Sequence, residues 1–250
     1  MALRFQHAIV VGASSGIGAA IARELAASGA AVALLGRRAD ELERVAAPLR
    51  ASARAPIVTV VHDVTAVDTV PALFERLVGE LGGLDLLVYA AGQQVMAEEG
   101  VWDFARDLTM LDVNAAGAIV WTSVAAARFE ARRAGTILGL SSIAGERGRR
   151  TMPGYTTSKA ALTTWLEALR NRVSRSGVNV VTIKPGYVDT ALTRDLAFKP
   201  MMISAGRAAA IALATARRGG SPSAFVPARW WLVAMMLRHL PSRVFRRLNF

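Results

Sequence analysis

The chain has no cysteine, so disulfide frameworks, thiolate metal sites and cysteine nucleophiles are excluded. Its three histidines, His7, His62 and His239, lie far apart in the sequence. A histidine-rich metal site needs ligands at short, regular spacings, which these residues do not provide. We therefore expect no bound metal.

No membrane-spanning segment or signal peptide is evident in the sequence. The longest apolar run near the C-terminal end covers the eight residues 230–237, whereas a spanning helix needs about 20 residues. Residues 1–11 carry one arginine and lead into a glycine-rich turn without a cleavage pattern. We expect a cytoplasmic protein and leave surface attachment to a membrane open.

Acidic residues are missing from the C-terminal end of the chain. The chain carries 30 Lys and Arg against 19 Asp and Glu, a net charge of +11. Residues 1–195 contain 21 of the basic residues and all 19 acidic ones, whereas residues 196–250 contain nine basic residues and no acid. This asymmetry indicates a polyanionic partner such as a membrane, a nucleic acid or an acidic substrate.

The chain alternates regularly between strand and helix patterns. Hydrophobic residues make up 53% of its 250 residues, enough for one large core. Continuous apolar strands separated by helices predict an α/β fold, with a doubly wound parallel sheet covered by helices on both faces. We expect one domain over 1–228, with a substrate loop at 190–207, and a C-terminal extension over 229–250. The predicted strands are 7–12, 31–36, 57–62, 84–89, 135–140, 178–184 and 224–226.

A glycine-rich turn with the spacing G-x-x-x-G-x-G follows the first predicted strand and leads into a helical pattern. Glycines allow a tight turn in which backbone N–H groups approach a pyrophosphate, and the helix N-terminus adds its positive dipole end. The alternative is a plain strand–helix turn, which the flanking strand and helix disfavour. The predicted dinucleotide contacts are Gly12, Ser14, Ser15, Gly16, Ile17 and Gly18.

The end of the second predicted strand distinguishes NAD from NADP. An NAD site places a carboxylate there to hold the ribose 2′-hydroxyl, whereas a 2′-phosphate requires a cation. Here Gly36 occupies the acidic position, and Arg37 and Arg38 follow it. Because arginine binds phosphate bidentately, we predict NADP(H), with Arg37 as the main contact and Arg38 as a second one. The alternative is a solvated arginine pair at the start of a helix.

Asp63 and Val64 follow the third predicted strand. A carboxylate at the carboxyl end of a strand can accept a hydrogen bond from the adenine amino group. Asp63 could equally cap the next helix. Its place beside the expected cofactor crevice favours the adenine contact.

Tyr155 and Lys159 open a long helical pattern and are four residues apart, so they share one helix face. A phenol has an ordinary pKa of about 10, and a nearby ammonium lowers that pKa toward a useful range. Ser142 lies thirteen residues before Tyr155, where its hydroxyl can bond a substrate carbonyl oxygen. A tyrosine and a lysine at this spacing are common on helices and carry little meaning alone.

Together these motifs resemble the short-chain dehydrogenase/reductase family in its single-domain form. The resemblance covers residues 7 to about 195 and implies a seven-stranded sheet in the order 3-2-1-4-5-6-7. It rests on GASSGIG at 12–18, DV at 63–64, AAG at 90–92, Asn114, SS at 141–142, YTTSK at 155–159 and PGYVDT at 185–190.

The resemblance also implies a role for each matching residue. Tyr155 would protonate the carbonyl oxygen as hydride from the cofactor reaches the carbon, and Ser142 would orient that oxygen. Lys159 would bind the nicotinamide ribose and lower the pKa of Tyr155, and Asn114 would hold a water that links Lys159 to solvent. The other implied cofactor contacts are Asp63, Val64, Ala91, Gly92, Ile183, Pro185, Gly186, Val188 and Thr190, the last one to the carboxamide.

The chain departs from the family pattern after the fourth strand. The family usually has N-N-A-G there, and an asparagine at that place ties the strand to its neighbour. This chain has Tyr89, Ala90, Ala91 and Gly92 instead. We therefore expect that local bond to be lost while the chemistry is retained.

The predicted substrate loop is apolar and rich in methionine, which adapts to binding surfaces. It fits a hydrophobic or chain-bearing ketone better than a sugar or an amino acid, with ordinary core packing as the alternative. Its apolar residues are Leu192, Leu196, Phe198, Met201, Met202 and Ile203.

The extension 229–250 combines five arginines with Trp, Met, Leu and Phe, and Pro241 divides it into two short helical pieces. This composition is typical of an interfacial amphipathic helix that binds a membrane peripherally. It is similar to the tail of a bacterial branch of the family that reduces keto groups on lipid-linked sugars. The alternatives are packing on its own domain or across a dimer. No groove-reading motif accompanies the charge, so we expect no nucleic acid partner.

These patterns favour an NADPH-dependent reductase of a hydrophobic or lipid-linked ketone. The alternatives are an NAD(P)-dependent dehydrogenase of a small secondary alcohol, and a membrane-docking scaffold without turnover. Segments 100–133 and 153–176 resemble the family's dimer-forming helices. We therefore expect a homodimer or homotetramer.

Overall fold

The computed structural model describes residues 4–98, 100–194, 196, 198–220 and 222–247. Seven strands form one parallel sheet in the order β3-β2-β1-β4-β5-β6-β9. Because β9 is the seventh strand of this sheet in chain order, the predicted order 3-2-1-4-5-6-7 is confirmed. Two further strands, β7 and β8, form a small parallel pair outside this sheet. The strands are β1 (His7–Val11), β2 (Ala31–Gly36), β3 (Ile57–Val61), β4 (Leu86–Tyr89), β5 (Gly135–Leu140), β6 (Val178–Pro185), β7 (Val188–Asp189), β8 (Ile203–Ser204) and β9 (Ser223–Val226).

Helices cover both faces of the sheet. Successive side chains of a strand point to opposite faces, so Val10 joins the core beneath one helical layer while Ile9 and Val11 join the other. The first layer holds α1, α2 and α7, and the second holds α3, α5 and α6. The helices are α1 (Gly16–Ala27), α2 (Ala39–Ser52), α3 (Val70–Leu81), α4 (Phe104–Leu111), α5 (Gly117–Arg132), α6 (Pro153–Arg172), α7 (Ala205–Arg218), α8 (Trp230–His239) and α9 (Ser242–Phe245).

The predicted strands match the observed ones within two residues at each end, and the differences have local causes. Gly12 leaves β1 because its φ of 89° belongs to the turn and not to a strand. The predicted strand at 84 begins two residues later, at Leu86. The side chain of Asp85 accepts hydrogen bonds from the backbone N–H groups of Gln6 (2.9 Å) and His7 (3.2 Å) at this point.

The segment 100–133, read from the sequence as one helical stretch, contains a π-helical turn at Asp112–Ala116 between α4 and α5. The helix begins only at Phe104, because Asp103 caps it by accepting a hydrogen bond from the backbone N–H of Arg106 (2.9 Å). Turns of this kind insert one residue into a helix and are frequent at functional sites. Here the inserted turn contains Asn114.

The stretch Phe104–Arg132 is long and apolar enough to cross a membrane by length and composition. Just over half of its apolar window is buried inside the protein. Trp121, Ala125 and Phe129 pack in the core of the second layer. We interpret it as a core helix.

The C-terminal extension forms two helices, α8 and α9, on either side of Leu240 and Pro241, as predicted from the proline. Trp230, Ala234 and Leu237 of α8 are buried. Trp230 and Ala234 pack with Ile143, so this extension packs on its own domain. The domain division at 228/229 stays a prediction, and residues 248–250 lie outside the described residues.

Candidate active site

The glycine-rich turn between β1 and α1 packs so closely on neighbouring backbone that a side chain at Gly12 or Gly18 would not fit. A Cβ on Gly12 would lie 2.4 Å from the backbone N of Ala91, and one on Gly18 would lie 2.1 Å from the carbonyl oxygen of Gly12. The side chain of Ser15, at the N-cap of α1, makes no capping bond, and the first turn has no acidic residue. The first N–H groups of α1 are therefore available to an anion, and the pyrophosphate contact stays a prediction.

Arg38 and Arg37 approach this turn from the end of β2. The Arg38 guanidinium donates hydrogen bonds to the hydroxyl oxygens of Ser15 (3.0 Å) and Ser14 (3.3 Å). The Arg37 Nη1 lies 3.8 Å from the Asp63 Oδ2. A Cβ on Gly36 would already touch Ser14 at 3.1 Å. Two guanidinium groups thus flank the place predicted for a 2′-phosphate, and the ranking of Arg37 over Arg38 stays a prediction.

Asp63 uses its two carboxylate oxygens differently. Oδ1 accepts hydrogen bonds from the backbone N–H (2.9 Å) and the hydroxyl (2.8 Å) of Thr65, which closes a local turn. The backbone hydrogen bond from Thr65 is the main reason that the pKa of Asp63 lies below its usual value. Oδ2 faces Arg37. The capping alternative is wrong, because the helical turns that follow have Ala66 and Thr69 as their N-caps, and the adenine contact stays a prediction.

The structure brings the predicted catalytic residues together at the carboxyl end of β5 and the start of α6. Tyr155 and Lys159 are buried one helical turn apart, with the Lys159 Nζ 5.9 Å from the Tyr155 ring centroid. Ser142 accepts a hydrogen bond from the backbone N–H of Ala144 (3.0 Å) and also hydrogen-bonds Tyr155. Lys159 donates to the carbonyl oxygen of Leu140, the last residue of β5 (2.9 Å).

The expectation that Lys159 lowers the pKa of Tyr155 is wrong for this structure. Burial raises the pKa of Tyr155, and the hydrogen bond with Ser142 and the charge of Arg149 only partly oppose this. Burial also lowers the pKa of Lys159 to about 8, because a charged amine is disfavoured away from water. Tyr155 is therefore a neutral phenol at pH 7, and Lys159 titrates near pH 8.

The pKa of about 8 for Lys159 predicts how catalysis depends on pH. Below about pH 7 Lys159 is largely protonated, and as the pH rises through about 8 it loses the charge that would hold ribose hydroxyls. We expect kcat/KM for the nicotinamide cofactor, which reports the free enzyme, to be flat below about pH 7 and to decline as the pH rises through about 8. In Lys159→Arg the guanidinium stays charged, so a decline at the same pH in that variant would contradict this assignment.

Asn114 is buried in the π-helical turn and has three partners. Its Oδ1 accepts from the backbone N–H of Gln93 (2.7 Å), and its Nδ2 donates to the carbonyl oxygen of Gln93 (2.9 Å) and the hydroxyl of Ser158 (2.8 Å). A Cβ on Gly92 would lie 3.4 Å from the Lys159 Nζ and 3.5 Å from the Asn114 Oδ1. Asn114 and Lys159 therefore both border Gly92, and the proton relay through them stays a prediction.

Sequence reasoning missed Gln93 and Ser158. Each lies directly beside a recognised motif, Gln93 after AAG and Ser158 before Lys159. The only sequence signal for either residue is its position next to a motif.

Tyr89 makes a hydrogen bond at the position where the family usually has an asparagine. Its buried hydroxyl donates to the carbonyl oxygen of Val113 (2.6 Å), the residue before Asn114. Burial raises the pKa of this phenol. Tyr89 therefore links β4 to the π-helical turn, and the loss of the family's bond to the neighbouring strand stays a prediction.

Replacing Tyr89 by phenylalanine leaves the Val113 oxygen without this donor. We expect the free energy of unfolding to fall by about 1–2 kcal/mol, a drop of roughly 2–8 °C in Tm for a chain of this size. Thermal unfolding measures it, with Tyr187→Phe, the same change at a partly exposed position, as the control. Equal melting of Tyr89→Phe and the unchanged protein would show that the bond is not stabilising.

The segment after β6 lies beside the glycine-rich turn. Pro185 ends β6, Val188 is buried in β7, and Thr190 lies beside the glycine turn, where a Cβ on Gly16 would be 3.2 Å from its Cγ2. A Cβ on Gly186 would lie 2.0 Å from the Nε1 of Trp230. The predicted cofactor residues from three strand ends therefore meet at one edge of the sheet, the usual place for a ligand in this architecture.

Tyr155 packs with a small cluster of apolar side chains. Met110, Ala144 and Met152 pack with Tyr155, and Val95 packs against this cluster. In the substrate loop, Leu192, Phe198 and Met202 are exposed, which argues against core packing for these three. Residues 195 and 197 of the loop lie outside the described residues. Among the residues that the structure describes, no group of three or more His, Cys, Asp or Glu could hold a metal ion.

Comparisons with known proteins agree with this geometry. The family model described as short chain dehydrogenase matches residues 6–200. The chain is 32% identical to an uncharacterized oxidoreductase of Mycobacterium tuberculosis, covering 97% of this chain and 96% of that protein. It is also 32% identical to one of Staphylococcus epidermidis, over 76% and 81%. A short-chain type dehydrogenase/reductase from Mycobacterium marinum superimposes with a TM-score of 0.82 at 25% identity, over 94% and 96% of the two chains.

Proposed function

The chain belongs to the short-chain dehydrogenase family and is an NAD(P)-dependent oxidoreductase, and from this premise we propose that it reduces hydrophobic ketones with NADPH. The observation that carries the proposal is the buried group of Ser142, Tyr155 and Lys159 beside the glycine-rich turn. Bound NADPH would supply hydride to the carbonyl carbon.

The two arginines at the end of β2 support NADPH over NADH. A 2′-phosphate there would meet two guanidinium groups and no carboxylate at position 36. Asp63, whose Oδ2 lies 3.8 Å from the Arg37 Nη1, is already paired with Thr65 and Arg37. Charge-assisted, bidentate contacts of this kind are among the strongest for phosphate.

The raised pKa of Tyr155 supports the reductive direction. A neutral phenol holds the proton that a developing alkoxide needs, and Ser142 can donate a hydrogen bond to the same oxygen. As the carbonyl becomes an alcohol, its oxygen takes the Tyr155 proton. Lys159, with a pKa of about 8, can then return a proton to Tyr155. Lys159 can in turn take up a proton from solvent on the side of the site that contains Asn114.

The exposed apolar side chains of the predicted substrate loop support a hydrophobic substrate. Leu192, Phe198 and Met202 are all exposed and could contact an apolar chain. A series of methyl ketones of increasing chain length, followed by NADPH absorbance, tests this. Each buried methylene contributes about 0.8 kcal/mol, so kcat/KM should rise about fourfold per carbon until the pocket is full.

Three results of this assay would contradict the proposal. They are a preference for NADH, no increase with chain length, and faster oxidation of small secondary alcohols with NAD⁺ than reduction of any ketone. No turnover with any carbonyl would favour the scaffold alternative.

We also propose that the protein is cytoplasmic and forms a homodimer through α4 and α5. Trp102 and Phe104 are 95% and 79% exposed, and Leu108 on α4 is also exposed. Apolar side chains grouped in this way mark interfaces more often than free surface. Sedimentation equilibrium should give twice the mass of the chain, and Phe104→Asp should give the monomer.

A further inference from the structure

The helix α8 has two apolar faces, and only one of them packs on the protein. Trp230, Ala234 and Leu237 are buried against the domain. On the other side Trp231, Leu232 and Met236 are 53%, 65% and 60% exposed. The fold therefore uses the inner face and leaves an outer face with a tryptophan, a leucine and a methionine in contact with solvent.

Exposed cations lie in the segments on either side of α8. Arg229, Arg243, Arg246 and Arg247 are all exposed, and no acidic residue occurs anywhere in 196–250. Glu146, an acid that contacts α8, has a buried side chain and accepts hydrogen bonds from Lys184 (2.7 Å) and Arg238 (2.6 Å). The extension thus combines exposed apolar side chains with positive charge.

The same surface continues onto the substrate loop. Arg229 donates to the carbonyl oxygen of Met201 (3.2 Å), and Met201 packs with Trp230. Next to this contact, Phe198 is 76% exposed and Met202 is also exposed. We call the exposed side chains of α8, α9 and residues 198–202 the docking face.

The docking face is fixed to the active-site wall. Arg147, which follows the turn after Ser142, donates to the carbonyl oxygens of Leu237 (2.6 Å) and Leu240, and to the hydroxyl of Ser242 (3.3 Å). Trp230 lies against Gly186 in the predicted nicotinamide wall. A partner on the docking face would therefore lie beside the opening of the crevice.

We propose that the docking face binds an anionic lipid bilayer and presents the active site to it. With its ten residues α8 is about 15 Å long, too short to span a bilayer of about 30 Å, but suited to lie in its interface. Tryptophan and arginine are the residues that such interfaces favour. A second copy is a poorer occupant, because a two-fold contact pairs a patch with itself and would oppose arginines to arginines.

Co-sedimentation of the full-length protein with vesicles tests the proposal without cofactor or carbonyl, so its outcome is independent of the proposed reaction. We expect binding to phosphatidylcholine vesicles that contain phosphatidylglycerol, weakened by salt, and little binding to phosphatidylcholine alone. The variant Arg243→Gln/Arg246→Gln/Arg247→Gln should bind about 100-fold more weakly, from the contribution of each basic residue near an anionic surface. Trp231→Ser/Leu232→Ser should bind at least about tenfold more weakly.

Two control variants make comparable substitutions at exposed positions outside the docking face. The first, Arg23→Gln/Arg54→Gln/Arg172→Gln, removes three exposed arginines, and the second, Val61→Ser, removes an apolar side chain of similar exposure. Both should bind vesicles as the unchanged protein does. Equal loss in the controls, or no binding to anionic vesicles, would overturn the proposal. So would self-association that Trp231→Ser/Leu232→Ser abolishes, or binding to a DNA duplex in preference to vesicles.

Discussion

Replacing Tyr155 by phenylalanine should lower kcat for ketone reduction by roughly 1,000-fold or more, because it removes the only proton donor that the mechanism places at the carbonyl oxygen. The ring remains, so the packing with Met110, Ala144 and Met152 is retained. NADPH affinity, measured by the quenching of protein fluorescence, should stay nearly unchanged. The measurement is steady-state NADPH oxidation with the best ketone of the series.

Two further results separate this role from a structural one. Tyr155→Phe should unfold within a few degrees of the unchanged protein, since it loses only the hydrogen bond with Ser142. Ser142→Ala should lose less activity than Tyr155→Phe, because it removes an orienting group and not the proton. Unchanged activity in Tyr155→Phe would disprove the mechanism.

Arg37→Asp should weaken NADPH binding by about 100-fold or more, because it replaces a phosphate-binding cation with a carboxylate that repels the 2′-phosphate. NADH affinity should change little or improve, since a carboxylate there suits a ribose 2′-hydroxyl. Titration of each cofactor by protein fluorescence measures both. The ratio of the two affinities reports the phosphate contact directly.

Two variants make this test specific. Arg44→Asp reverses the charge of an exposed arginine on α2 that pairs with Glu41, and it should leave the ratio unchanged. Arg38→Asp should weaken NADPH binding less than Arg37→Asp does. If Arg38→Asp has the larger effect, the ranking of the two arginines is wrong. If neither changes NADPH affinity, the preference for NADP is wrong.

Much of the fold was predictable because its strands and turns have recognisable local sequence patterns. Runs buried on both faces, such as 31–36 and 135–140, are apolar apart from Thr136, which is typical of parallel strands. Turn glycines marked the strand ends. The π-helical turn at Asp112–Ala116 could not be predicted, because inserting one residue into a helix leaves no periodic signal.

The pKa of Tyr155 shows where reasoning from spacing fails. A spacing of four residues places Lys159 on the same helix face, and from this alone a lowered pKa follows. The direction is reversed because residues from other elements, among them Met110 on α4 and Ala144 after β5, remove both groups from water. Burial of this kind depends on contacts between distant parts of the chain.

The sequence by itself determined the sheet, the glycine turn and the shared helix face of Tyr155 and Lys159, because each depends on neighbours within one turn or one strand. Only the tertiary structure decided how Asn114 is held by Gln93 and Ser158, residues 21 and 44 positions away. It also decided that Tyr89 ties β4 to the turn that contains Asn114, and that α8 buries one apolar face and exposes the other. These outcomes depend on which surfaces meet when the layers pack, and spacing along the chain does not carry that information.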